Sequence, residues 1–415
     1  MYGGYPVGVV DVTATSPELT TAQIAVWRER IRTTTFANYH LHMGIALALR
    51  SESGAAQALQ RACESDPGCV EAAVALAELT GDTSCLPAGV GMRQLGLLRL
   101  ADIEAKAGRW ERAGAYIDAM LAVPLPIELA CYAEEFVACT EILEVGRRID
   151  VLVISRAIVA LLDAASFEPD LETSIRIGHL FFRHHAYDEA AACYRRYERR
   201  APGNLDIRFR LGFHHMINLE LAEAEQAFIG YTARLPDDRF PVALRVLTVL
   251  ADARAVDAAG LVAEEEARQK LDSSLWACRG LAFQHLGDLA GALAAYEKAA
   301  EIAPSLEEYR RMVDREQMAF LGAPGQGGLL ALGLLALGRL PEAKAKVDGA
   351  LRQLPESGFD WLVNALLLLE LSAEQQAREA MKAFQAGSPN ALLLPLFLRL
   401  LPMGADRLRA LLPTA

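Results

Sequence analysis

Four alanines, Ala190, Ala224, Ala258 and Ala292, stand 34 residues apart, and no other feature of the sequence limits its fold so tightly. Gly178, Gly212 and Gly280 keep the same beat, with Val246 in the one place that lacks a glycine. So do the bulky residues Tyr194, Phe228, Val262 and Tyr296, and the prolines Pro202, Pro236 and Pro304. Four kinds of side chain locked to one period call for one structural unit repeated along the chain. Each period holds two helical patterns and ends at a proline. The small residues let two antiparallel helices approach, because the residues at a helix contact set an interaxial distance of about 8–10 Å. Gly287-Asp288 supplies the turn between the helices. Pro304 lacks a donor N–H and restricts the residue before it, so the second helix stops there. One pair cannot bury its apolar faces alone, and such units therefore stack on neighbours.

The clearest copy carries Trp276, Gly280, Phe283, Gly287, Ala292, Tyr296, Ala299 and Pro304. This pattern resembles the tetratricopeptide repeat, departing from it where Arg279 stands in place of the usual Leu. The resemblance implies an all-α fold, an α-α superhelical solenoid of helix pairs, whose first (A) helices line a concave groove. Residues 1–18 read as an N-terminal arm without helical period, with a helix through Trp27 after it. Residues 19–165 read as degenerate helical repeats, including a turn-rich connection from Gly81 to Gly91 and two longer helices broken near Gly146. Four in-phase units fill 171–304, the third of them worn: Glu265 and Lys270 occupy its late Ala and Pro places. Residues 305–328 read as an extra helix and a Gly-rich joint, 329–389 as two further units, and 390–415 as capping helices. A cap so rich in leucine calls for something to cover it.

Composition narrows the function. The formal charge of −12 argues against a general surface for nucleic acid or anionic membrane. The longest apolar run, Ala391 to Leu398, contains Pro395 and is far shorter than the roughly 20 residues of a membrane span. Seven cysteines form no CxxC pair and read as reduced thiols in packing positions, so a cytoplasmic location is expected. No basic n-region followed by an apolar h-region opens the sequence, so no signal peptide is expected. Arginine greatly outnumbers lysine in an Ala- and Leu-rich chain, a composition expected of a bacterial gene of high GC content.

Residue chemistry gives no catalytic constellation. The paired histidines His40/His42, His184/His185 and His214/His215 lack metal-ligand spacing, and no metal or cofactor is expected. The loop Gly322 to Gly328 lacks the Lys-Ser/Thr of a P-loop and follows no strand. No nucleophile motif is present. The chain therefore reads as a non-enzyme.

A second face of the A helices is the better candidate. Ile175, His179 and Phe182 follow i, i+4, i+7, beside the stripe of Ser174, Gly178 and Phe181 that packs on the partner helix. In the next unit the same face is Phe209, Phe213 and Met216. Arg176 and Arg210 share one repeat position beside this face, Arg99 holds it earlier, and Arg183 lies nearby. By the resemblance, these residues line a groove that takes a peptide or protein segment with apolar anchors and carboxylates. Two specialised versions of the family are excluded by position. The carboxylate clamp of chaperone-binding members would need Lys and Asn where Leu98/Asp102, Ile175/His179, Phe209/Phe213 and Ala277/Leu281 stand. The asparagine ladder of glycosyltransferase-associated arrays is replaced by Arg99, Arg176, Arg210, Leu244 and Cys278. The expected function is a scaffold, adaptor or chaperone; the alternative is the recognition subunit of a modifying enzyme such as a bacterial protein glycosyltransferase. Self-association is expected where worn repeats and leucine-rich ends leave apolar surface uncovered.

Overall fold

The structure, a computed structural model, describes residues 37–49, 51, 53–145, 150–268, 271–303, 327–355, 357–386 and 390–412. The expected N-terminal arm, the helix through Trp27 and the expected helix after Pro304 lie outside these residues. Everything described is helix or short connection, as the periodicity requires. The chain divides into two compact units, Met1–Leu180 and Phe181–Ala415.

In the first unit, α1 (Ala37–Leu49) pairs with α2 (Ala55–Ser65), and α3 (Val70–Thr80) packs between α2 and α4 (Val90–Lys106). Helix α4 pairs with α5 (Trp110–Leu121) and also touches α6 (Ala133–Val145), which pairs with α7 (Val151–Ala164). The turn-rich connection holds a 3-10 turn, Thr83–Cys85, and a second one, Ile127–Tyr132, precedes α6. Helix α8 (Leu171–Arg183) spans the boundary between the units.

The second unit continues with α9 (Tyr187–Arg200), α10 (Leu205–Ile217), α11 (Leu221–Thr232), α12 (Arg239–Ala251), α13 (Ala255–Ala267), α14 (Ser273–His285) and α15 (Leu289–Ile302). Helices α8, α10, α12 and α14 are the A helices of the four in-phase copies. They begin at 171, 205, 239 and 273. Then follow α16 (Gly327–Ala336), α17 (Leu340–Gln353), α18 (Gly358–Glu370), α19 (Glu374–Ala386), α20 (Asn390–Leu400) and α21 (Ala405–Arg409). Gly327 and Gly328, expected at the end of a loop, form the first turn of α16 instead. Asp360, buried on α18, accepts a hydrogen bond from the Gly328 N–H and so satisfies one donor of that helix start.

Two further marks repeat with the same period. Asp170, Asn204, Asp238 and Asp272 each cap an A helix, their side-chain oxygens accepting from Thr173 (2.7 Å), Ile207 (3.2 Å), Phe240 (3.3 Å) and Leu275 (2.9 Å). At the other end, His185, Leu219, Ala253 and Gly287 adopt left-handed backbone with φ of 61°, 61°, 60° and 83°. The next N–H then reaches back to the helix: Ala186 to Phe181, Glu220 to His215, Arg254 to Val249 and Asp288 to Phe283, at 2.9–3.0 Å. Every A helix of this stretch thus ends in the same turn, although only one copy has the glycine that adopts it without strain.

Inside the pairs, small residues meet large ones. A Cβ on Gly280 would run into the ring of Tyr296, and one on Gly212 would lie 2.8 Å from Ala227 and 3.1 Å from Phe228. Ala190, Ala224, Ala258 and Ala292 are fully buried. The Tyr296 hydroxyl donates to Gln284 (2.9 Å), whose amide donates to the Leu332 carbonyl (3.4 Å), so the buried phenol joins α15, α14 and α16.

Candidate protein-binding face

The arginines expected as rungs are already held by carboxylates of their own chain. In the first unit, Arg99 donates to Glu135 (3.0 Å) and Glu71 (2.8 Å), and Arg176 donates to Glu141 (2.6 Å). Burial would lower the Arg99 pKa, but the paired carboxylates more than offset this and raise it. In the second unit, Arg210 donates to Asp206 (3.1 Å) and lies 4.9 Å from the centre of the Phe182 ring. Arg279 pairs with Glu266 at 2.5 Å and stacks on Trp276 and Phe283. The ion pairs of Arg99, Arg176 and Arg279 are struts between helices, while that of Arg210 lies within α10. The carboxylates expected on a partner have competitors within the chain.

The aromatic floor is corrected in a similar way. Phe182, Phe213 and Met216 are at most 2% exposed, and so are packing residues in this conformation. Phe182, Tyr187 and Phe213 form one cluster with ring centres 5.2–5.7 Å apart, where the end of α8 meets α9 and α10. Phe209 remains half-buried, its ring 5.4–6.1 Å from those of Phe228, Tyr231 and Phe240. Arg183 and Arg210 are half-buried in the second unit; Ile175, Arg176 and His179 are half-buried in the first.

The second unit also holds an arrangement that the repeat pattern does not announce. Helix α20 leaves α19 and packs on α10 and α12, two consecutive A helices. The Nε2 of His285, at the end of α14, donates to the Leu400 carbonyl (3.0 Å), one of the carbonyls that a helix end leaves without a partner. Arg399 donates in return to the Ala251 carbonyl at the end of α12 (3.4 Å). Leu393, Leu396, Phe397, Leu398, Leu400 and Leu401 are all at most 7% exposed. The Phe397 ring faces Phe359 on α18 (5.8 Å) and Phe384 on α19 (6.5 Å), so α20 is enclosed by the last pair and by the A-helix row. The leucine density of 390–401 was the one available signal in the sequence. Its partner surface, more than 100 residues away in the chain, had none.

Among the described residues, His214, His215 and Glu220 are a group of metal-binding types whose donor atoms lie within 4.8 Å of one another. His214 Nε2 lies 3.0 Å from Asp188 and His215 Nδ1 bonds Glu220 within the group, while the buried His214 Nδ1 has no hydrogen-bond partner. Burial lowers the His214 pKa against the Asp188 hydrogen bond, which raises it. Desolvation disfavours the thiolate of the buried cysteines too, pushing Cys139 up to about 12 and Cys278 higher still. Among the described residues no helix is long and apolar enough to cross a membrane.

Comparison with known proteins agrees with the repeat reading. Residues 273–306 match the family model of the tetratricopeptide repeat. No curated protein matches the chain. Among solved structures, a tetratricopeptide repeat protein from Parabacteroides merdae is 12% identical, with 64% of this chain and 98% of that one covered and a TM-score of 0.46. The yeast Tom70 structure is 11% identical over 94% and 93% of the two chains (TM-score 0.42), and the Cut9–Hcn1 hetero-tetramer 16% identical over 92% and 81% (TM-score 0.41). Residues 273–306 are thus the copy that the tetratricopeptide-repeat model recognises.

Proposed function

We propose that this tetratricopeptide-repeat chain is a non-catalytic scaffold or adaptor that takes a segment of another protein along the A-helix row of its second unit. The observation that supports this best is α20: consecutive A helices already accept one leucine-rich helix, with a side-chain donor in place to cap its end. Repeated A helices offer a long surface of side chains on a rigid frame. Recognition of a helix laid into such a groove rests on apolar anchors at i, i+3, i+4 and i+7. The half-buried residues Phe209, Arg210 and Arg183 are the proposed contacts of this unit beside the row. Ile175, Arg176 and His179, in the first unit, stay outside the proposed surface.

The test is affinity capture with the full-length chain as bait, followed by mass spectrometry. Arg210→Glu combined with Phe209→Ala is expected to abolish capture of the wild-type partner while far-UV circular dichroism keeps its helical amplitude. Capture that survives both substitutions moves the contact elsewhere.

A further inference from the structure

We propose that α20 is a resident occupant of the A-helix row, and that the partner is a leucine-anchored, non-acidic helix which gains the row by displacing it. This rests on the reading of that row as a protein-binding surface. The chemistry of the occupant specifies the partner. Leu393, Leu396, Phe397 and Leu400 fall at i, i+3, i+4 and i+7 and are at most 6% exposed, while Leu392 stands 53% exposed on another side. No acidic residue occurs in Asn390–Leu400, and its one charged side chain, Arg399, lies in the last turn. That turn is placed where α12 and α14 end, and a helix C-terminus carries a partial negative charge that favours a cation and disfavours a carboxylate. Arg210 and Arg279, the side chains that would answer an acidic partner in this unit, are occupied by Asp206 and Glu266.

The packing of α20 makes displacement feasible. It lies on α10 and α12 as a single helix outside the repeat pairs, so undocking does not require any pair to open. Pro395 sits inside the helix and removes one of its internal hydrogen bonds. Among the described residues, His285 ties to Leu400 and Arg399 to Ala251, both at its last turn. A competing helix binds in proportion to the fraction of molecules whose row is vacant, so its apparent affinity rises when the resident is weakened.

The experiment uses the full chain and a fluorescein-labelled peptide of residues 390–402 with a short lysine tail. Leu396→Ala with Arg399→Ala weakens the resident and leaves every residue of the row unchanged. The peptide is expected to bind this variant at least about tenfold more tightly than wild type. Hydrogen exchange on the wild type gives an arm that does not depend on how the variant folds: saturating peptide should strip protection from the amides of 390–400 and keep it on α10 and α12. Equal affinity for wild type and variant, or peptide binding that leaves 390–400 protected, overturns the displacement. Absence of peptide binding to a variant that melts cooperatively overturns it too. A partner captured from lysate while 390–400 stays protected would leave the protein-binding reading standing without the displacement. Failure of both peptide and lysate capture removes both.

Discussion

The pair α14–α15 and the pair before it, α12–α13, have the same architecture built from different residues. In α14–α15 a glycine faces a large ring, Gly280 under Tyr296. At the equivalent places α12–α13 carries Val246 and Val262, both at most 1% exposed. The helix gained volume where its partner lost it, so the worn copy keeps its spacing by redistributing side-chain bulk across the contact. The turn between the helices shows the reverse. Ala253 takes the left-handed conformation that Gly287 takes freely, at a cost imposed by its own Cβ. Packing marks can therefore drift in compensated pairs, whereas a backbone mark drifts only at the expense of stability.

The largest test of this comparison is a double-mutant cycle. Tyr296→Val alone should cost about 3 kcal/mol through the cavity and the lost tie to Gln284, and Gly280→Val alone about 1–3 kcal/mol through overpacking. Together they reproduce the α12–α13 arrangement, and denaturant melts should show a coupling of about 1–3 kcal/mol in favour of the double variant. Strict additivity would mean that the two valines of the worn pair do not compensate for one another.

A smaller effect concerns the next joint of the array, where α16 starts on a buried carboxylate. Burial raises the Asp360 pKa to about 6, against the hydrogen bonds from Ser357 and Gly328 that lower it. The folded chain thus holds this proton at pH values where the unfolded chain has lost it. The contribution of Asp360 to stability falls as pH rises from about 4 through 6. Asp360→Asn removes this dependence, so the stability difference between variant and wild type should move by on the order of 2 kcal/mol toward the variant between pH 4 and pH 7. Melting midpoints of the two proteins across that range give the measurement; parallel curves would show that Asp360 does not titrate there.

The smallest effect is the backbone one. Ala253→Gly should stabilise by up to about 1 kcal/mol, because it relieves the left-handed strain but loosens the unfolded chain. The same substitution at Ala258, buried mid-helix, should destabilise instead, by about 1 kcal/mol for propensity plus the lost contact. If both move stability in one direction, the distinction between backbone and packing marks does not hold.

Much of the fold was legible because its contacts are local. Gly280 and Tyr296 lie 16 positions apart, and every copy repeats that separation, so the period displays the packing. The caps Asp170, Asn204, Asp238 and Asp272 were equally legible in principle, since they repeat too. The candidate face was legible only as a stripe. Helical spacing shows that Phe182, Phe213 and Met216 share a side, but not whether that side meets solvent, and all three are enclosed. The arginines could be counted, but Glu135, Glu141 and Glu266 could not be matched to them, because ion pairs between helices follow no fixed separation.

By itself, then, the sequence determined the helix pairs, their order and the small-against-large contacts within them, because each is a short-range relation stamped repeatedly into the chain. Tertiary structure alone decided what covers the A-helix row. Leu400 and His285 meet once, 115 residues apart, and a contact made only once leaves no period to read.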